Sequence, residues 1–309
     1  MKEKLLDILR QRIETDDEIS GWLFNEIQSI VKKSTHHLKY VTMVMPEFDM
    51  HDASHSEAVL KIIEGLLDTS AKNLSSFDLF YIIVSAYLHD CGMAVSDYEM
   101  RVMELTEGTD RLYVNEDSLK NDGKQCLTHV QAAEFIRKNK DKIYKDFSGE
   151  IRNWMFVPAT EKELMHYLAS LLIEYQEFRN RNYLSIKNSA DFASTNNALR
   201  IEYIRSTHHK RVAEYIRRWG KTRFATFPVN GIGQRIANDL AGICEAHGEN
   251  PDYIGGLGTQ VAYYGEYCTN LQFVSMMLRI GDIVHFDYSR APVELRSLHQ
   301  FESKYSHRQ

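Results

Sequence analysis

This chain of 309 residues predicts an all-α fold, and three observations carry that expectation. Only five prolines occur, so few points interrupt a helix. Alternating Val, Ile and Thr runs of strand type are scarce. Apolar residues instead recur at helical spacing, as in Ala58, Val59, Ile62, Ile63, Leu66 and Leu67, and again in Leu271, Val274 and Leu278. Residues 1–45 read as an N-terminal helical extension, amphipathic and charged, without the apolar core and cleavage site of a signal peptide. Residues 46–309 read as the main helical domain, long enough for a substantial core.

Taken in order, the elements follow from local signals. Leu79–Leu88 is apolar on every side, which predicts a helix buried on all faces. Ser75-Ser76-Phe77-Asp78 fits a capping box at its start, and Gly92 suits a C-terminal cap beyond its end. Loops are expected at Asp97, at Glu107–Asp110, at Asn121–Lys124 and at Phe147–Thr160. The polar stretch Asn180–Asn197 reads as a further loop. Phe224–Gly233 and Gly248–Gly258 separate the later helices, and Gly248 is the expected cap of the helix before it. The polar end Leu298–Gln309 suits either one module of a longer polypeptide or a ragged terminus.

Charge and cysteine content narrow the setting. The net charge of -6 argues mildly against a general nucleic-acid binder, although a local basic patch can override a global sum. No run approaches the ~20 apolar residues that span a bilayer, so a cytoplasmic protein without a membrane partner is expected. The four cysteines show no Cys-x-x-Cys spacing. They read as reduced core residues, and a zinc ribbon is excluded.

Polar residues interrupt the apolar stripes in a repeated way. His89 and Asp90 end the buried helix, where an unpaired charge costs several kcal/mol and so needs a partner or a metal. His55 lies on the stripe of Val59 and Ile63. The plainer reading of such a histidine is a satisfied core residue. Asp282 follows Leu278 on its stripe, and a buried salt bridge to Arg279 or Arg290 is its plainer reading. Ile201, Ile204, His208, Val212, Tyr215 and Trp219 place His208, rather than His209, inward. Ile236, Leu240 and Ile243 lead in the same way to His247. Several independent helices each aiming one imidazole or carboxylate inward suit a divalent first-row metal, or Mg at a carboxylate-rich position.

The ordered set His55-Ser56-x-x-Val59, Leu88-His89-Asp90 and Arg279-x-x-Asp282 resembles the H…HD…D pattern of the HD superfamily of metal-dependent phosphohydrolases. The likeness covers roughly residues 50 to 292, and it implies an HD-type helical bundle with helical insertions. Arg205-x-x-His208-x-x-Arg211, Ala246-His247-Gly248 and Asp287-x-x-Arg290-Ala291-Pro292 are similar to HD domains of bacterial conflict-system effectors, which are often fused to an Hsp90-like ATPase. That likeness implies an antiviral setting and an Hsp90-like ATPase module as a partner. One departure is clear. Met93-Ala94-Val95 follows Asp90-Cys91-Gly92 without the downstream histidine of the dNTP triphosphohydrolase branch.

By resemblance, His55, His89, Asp90 and Asp282 ligate one divalent ion (Mn, Fe, Mg, Zn or Ni). His208 and His247 ligate a second, with Asp90 bridging. Asp90, His89 and Arg211 form the implied catalytic group. His129 competes for the second site, its plainer reading being a surface or first-turn residue. His51 and His209 have no assigned role. Arg205, Arg211, Asp287 and Arg290 are candidates for holding the substrate, a nucleotide or another phosphodiester. Arg211 and its neighbours can equally be a solvated basic face, and Asp287 with Arg290 can equally be a salt bridge fixing the turn. The basic run Arg205–Arg223 keeps single-stranded nucleic acid open as an alternative substrate. An idle nucleotide-sensing or assembly module is the other alternative. No P-loop or Gly-x-Ser-x-Gly motif occurs, so the expected nucleophile is a metal-activated water.

Overall fold

Residues 4–14, 17–44, 53–113, 127–147, 154–156, 158–182 and 192–285 are described in this computed structural model. The helices are α1 (Leu5–Ile13), α2 (Glu18–Val44), α3 (Ala53–Leu67), α4 (Ser76–Leu88), α5 (Asp97–Tyr113) and α6 (His129–Lys138). They continue with α7 (Lys140–Ile143), α8 (Glu161–Arg181), α9 (Phe192–Arg223), α10 (Ile232–Ala246), α11 (Asp252–Gly255) and α12 (Leu271–Val284). A single antiparallel hairpin, β1 (Val261–Tyr264) with β2 (Tyr267–Thr269), accompanies them among the described residues. The fold is all-α, a helical bundle.

Every residue of α4 is buried, as its all-apolar sequence requires. Phe77, Leu79, Phe80, Ile82, Ile83, Val84 and Leu88 are each at most 2 % exposed. At roughly 1.5–3 kcal/mol per fully buried large apolar side chain, they contribute on the order of 10–20 kcal/mol before chain entropy is charged against it. The expected capping box is present: Ser75 Oγ accepts from Asp78 N–H, and Asp78 Oδ2 accepts from Ser75 N–H. Asp78 Oδ1 also accepts from Thr269 Oγ1 at 2.7 Å and from Asn270 N–H at 3.0 Å, tying the hairpin to the start of α4. The segment Ser76–Glu107 contains an 18-residue stretch apolar and long enough to cross a membrane, and that stretch is entirely buried inside the protein.

The chain forms two compact units. The first contains α1–α4, α9 from Thr207 onward, α10–α12 and the hairpin. Within it α4 is central, touched by α1, α2, α3, α10, α12 and β2. The helices expected as an N-terminal extension lie in this unit. Arg12 Nη1 donates to Ser76 Oγ at 3.1 Å, and His37 Nε2 lies 3.2 Å from the Cys91 carbonyl. The second unit runs from Val95 to Ser206, with α8 packed on α5 and α6.

Three expectations need correction. The loop expected at Glu107–Asp110 is helical, inside α5. Glu107 holds the helix there by accepting from Arg200 Nε and from Tyr175 OH, both at 2.8 Å. The loop expected over Asn180–Asn197 is shorter, because α8 runs to Arg181 and α9 starts at Phe192. Arg179 Nη2 donates across to Asn196 Oδ1 at 3.0 Å. The hairpin was not foreseen. Its signal is Tyr264-Gly265-Glu266-Tyr267, where Gly265 takes φ +54 between two aromatic strands.

Candidate metal centre

Three glycines bring the site's helices together. After Leu88, α4 tightens directly into a 3-10 turn over His89–Met93. Positive φ among the described glycines occurs at Gly231 and Gly265, so Gly92 is not the left-handed cap that its position suggested. A Cβ on Gly92 would lie 2.0 Å from the His208 carbonyl oxygen and 2.9 Å from Val212 N. Its missing side chain lets α9 lie against the turn and sets His208 opposite Asp90. Gly248 is likewise not a left-handed cap; a Cβ there would meet the His209 ring at 2.4 Å. On α12 a Cβ at Gly281 would meet Ile63 and Val59 of α3 at 2.9 and 3.1 Å. That close approach carries Asp282 to His55.

The six residues expected as ligands converge within the first unit. His55 Nε2 lies 3.2 Å from His89 Nε2, 3.3 Å from Asp90 Oδ2 and 3.2 Å from Asp282 Oδ1. His89 Nε2 is 3.3 Å from Asp90 Oδ2 and 3.9 Å from Asp282 Oδ1. On the other side, His208 Nε2 is 3.6 Å from Asp90 Oδ1 and 2.8 Å from His247 Nε2. Asp90 thus turns one oxygen to each pair of imidazoles. The donor atoms of His55, His89 and Asp90 all lie within 4.8 Å of one another, as do those of Asp90, His208 and His247.

The imidazoles are oriented for lone-pair donation. His89 Nδ1–H donates to the Ala86 carbonyl at 3.0 Å, and His247 Nδ1–H donates to the Cys244 carbonyl. Each bond leaves Nε2 facing the cluster, the tautomer a metal needs. Both residues also follow the C-terminal end of a helix, whose dipole favours a cation. Arg279 steadies the turn that bears His247, donating from Nη1 to the Glu249 carbonyl at 2.6 Å and the Ala246 carbonyl at 3.3 Å.

Electrostatics around His55 and His89 agree with a group short of positive charge. Burial opposes the charged form of His89, but Asp90 and Asp282 outweigh it and push the imidazole up to about 9. His55 is raised too: burial works against it, while hydrogen bonds to Asp282 and Asp90 prevail. Burial would lift the Asp282 carboxyl, yet His55 and His89 hold it well below the usual carboxylate range. Burial, with His208 and His89 nearby, drives His247 down to about 3. The facing nitrogens and carboxylate oxygens surround the positions a divalent ion would take, and this donor set fits such an ion. The cluster opens to solvent at Asp282 and His208, whose side chains are 25 % and 19 % exposed, while His55 and His89 are sealed.

The remaining expected residues lie as follows. Arg211 is buried on the fold itself: its Nη2 donates to the Ala94 carbonyl at 3.3 Å and to Tyr215 OH at 2.8 Å. It braces the segment after the His-Asp turn against α9. Arg205 lies on α9 one turn before His208. Asp282 faces His55 and not Arg279. His209 is buried, with Nε2 at 3.4 Å from Glu249 Oε1. His129 is exposed in the first turn of α6 within the second unit, its ring 6.3 Å from that of His166. His51, Asp287 and Arg290 lie outside the described residues. Sequence reasoning passed over His285, although it continues the stripe of Leu278 and Asp282; its Nδ1 lies 2.8 Å from His55 Nδ1.

A search of curated proteins and a search of solved structures each returned no significant match. The family model described as HD-CE matches residues 45–308, which takes in all six converging histidines and aspartates. The chain therefore belongs to the HD-CE family.

Proposed function

We propose that this chain is a metal-dependent phosphohydrolase acting on a nucleotide or a similarly small phosphodiester. The observation that carries the reading is Asp90, whose two oxygens face two separate pairs of imidazoles. His55, His89, Asp90 and Asp282 would hold one divalent ion, and Asp90, His208 and His247 a second. When bound, such ions polarise a phosphoryl oxygen and make water a competent nucleophile near neutral pH.

The chain's own residues supply orientation and shielding. The backbone carbonyls of Ala86 and Cys244 fix two imidazoles with Nε2 inward. The sealed side, at His55 and His89, excludes bulk water, so a phosphoryl group enters past Asp282 and His208. His208 Nε2 and His247 Nε2 face one another at 2.8 Å, and His247, whose Nδ1 donates to the Cys244 carbonyl, turns its Nε2 lone pair to that space.

The basic run on α9 bears on substrate size. Lys210 pairs with Glu249 at 2.9 Å, Arg217 with Glu245 at 2.5 Å, Arg218 with Glu214 at 3.2 Å and Arg223 with Glu26 at 2.7 Å. A run neutralised in this way is a poor groove for a polyanion and favours a small substrate over single-stranded nucleic acid. The antiviral setting and an Hsp90-like ATPase partner rest on the family resemblance.

A panel of nucleotides, cyclic nucleotides and short oligonucleotides, assayed with Mn, Mg, Zn and Ni at two salt concentrations, tests the proposal. Turnover of a small phosphoester with weak salt dependence is expected. Turnover of oligonucleotides alone, falling steeply with salt, would replace the reading by a nuclease. Metal uptake with no turnover, while a nucleotide still raises the melting temperature, would replace it by a sensing module.

A further inference from the structure

His89 and His247 are each oriented by the backbone carbonyl three residues earlier in the same helix. His55, in the first turn of α3, shows a different partner. Its Nδ1 instead lies 2.8 Å from Nδ1 of His285, the residue that ends α12, with ring centroids 5.0 Å apart. Two ring nitrogens at this distance share one hydrogen, so one donates and the other accepts. For His55 to offer a bare Nε2 to an ion, its own Nδ1 must carry that hydrogen.

We infer that His285 is a positioning residue for the first ion: its Nδ1 accepts the His55 Nδ1–H and holds His55 with the Nε2 lone pair aimed at Asp90, Asp282 and His89. This rests on the metal-centre reading above and adds to it a residue that touches neither ion. The last turn of α12 then acts twice, through Asp282 as a ligand and through His285 on another ligand. The effect is expected in the group of His55, His89, Asp90 and Asp282, because His285 meets His55, a member of that group.

The test is zinc titration by calorimetry on the full chain, comparing wild type with His285→Leu and His285→Asn. The Asn carbonyl oxygen can stand close to the place of the lost Nδ1 acceptor. His285→Leu is expected to weaken one of two zinc sites by about 10–100-fold, the usual effect of losing an outer-shell partner, and to leave the other unchanged. His285→Asn is expected to bind both ions within a few-fold of wild type. Independently of any variant, nitrogen-15 spectra of the zinc-loaded wild type should place the shared hydrogen on His55 Nδ1. Unchanged zinc binding in His285→Leu, an Asn variant as weak as Leu, or a hydrogen found on His285 Nδ1 would each overturn this inference alone. A wild type that takes up no zinc would overturn the metal-centre reading and this inference with it.

Discussion

Replacing Gly92 by alanine should loosen α9 and selectively weaken the second metal group. The added Cβ would sit 2.0 Å from the His208 carbonyl oxygen, 2.8 Å from its carbon and 2.9 Å from Val212 N. Ordinary contact begins near 3.5 Å, so the backbone of α9 must retreat by roughly 1 Å or more. Overpacking of a tight core costs about 1–3 kcal/mol, and backbone atoms that cannot rotate aside put this case near the upper end. The unfolded chain offsets part of it, since Gly→Ala at a conformation alanine can adopt returns about 0.4–1 kcal/mol. The net expectation is a loss of about 2 kcal/mol. His208 Nε2, now 3.6 Å from Asp90 Oδ1, moves with α9. Because ligand distances in metal sites hold within about 0.2 Å, affinity at the second site should fall at least tenfold while the first site persists. Urea unfolding and zinc titration read the two effects. Gly65→Ala is the control, since nothing lies within 4 Å of a Cβ there. A Gly92→Ala protein within about 0.5 kcal/mol of wild type, with both zinc affinities intact, would refute the reasoning.

Two further outcomes follow. Asp78→Ala removes a carboxylate that accepts from Ser75, Thr269 and Asn270, and it should cost about 2–4 kcal/mol by urea unfolding; a loss under 1 kcal/mol would deny that the hairpin is anchored there. Chelator-stripped protein should be most stable near pH 6.5. His89, raised from 6.5 to about 9, contributes stability that is complete below 6.5 and lost as pH climbs toward 9. His247, lowered to about 3, contributes stability that is present above 6.5 and lost as pH falls toward 3. Zinc replaces the protons on the first group, so loading should flatten the alkaline limb of a melting-temperature profile. A stripped protein whose stability keeps rising through pH 9 would contradict the assignment of His89.

The sequence made some of this legible and hid the rest for physical reasons. The capping box at Ser75 and the buried run of α4 are local signals, and both read directly. The inward His and Asp positions followed from apolar stripes, because a helix has one buried face whichever partner covers it. Gly92, Gly248 and Gly281 were opaque: glycine after a helix suggests a cap, whereas these permit close approach of segments distant in sequence. Arg211 shows the same limit. Whether a guanidinium holds a phosphate or braces the fold depends on a carbonyl at Ala94, which no spacing rule connects to it. His285 could have been found by extending the stripe past Asp282 to the helix end.

The central claim is that Asp90 joins two metal groups, and metal analysis of purified, reconstituted protein tests it most directly. Wild type should hold about two divalent ions per chain, His208→Ala about half as much, and Asp90→Ala essentially none. A wild type that retains no metal after reconstitution, or an Asp90→Ala protein that keeps its full complement, would contradict the account.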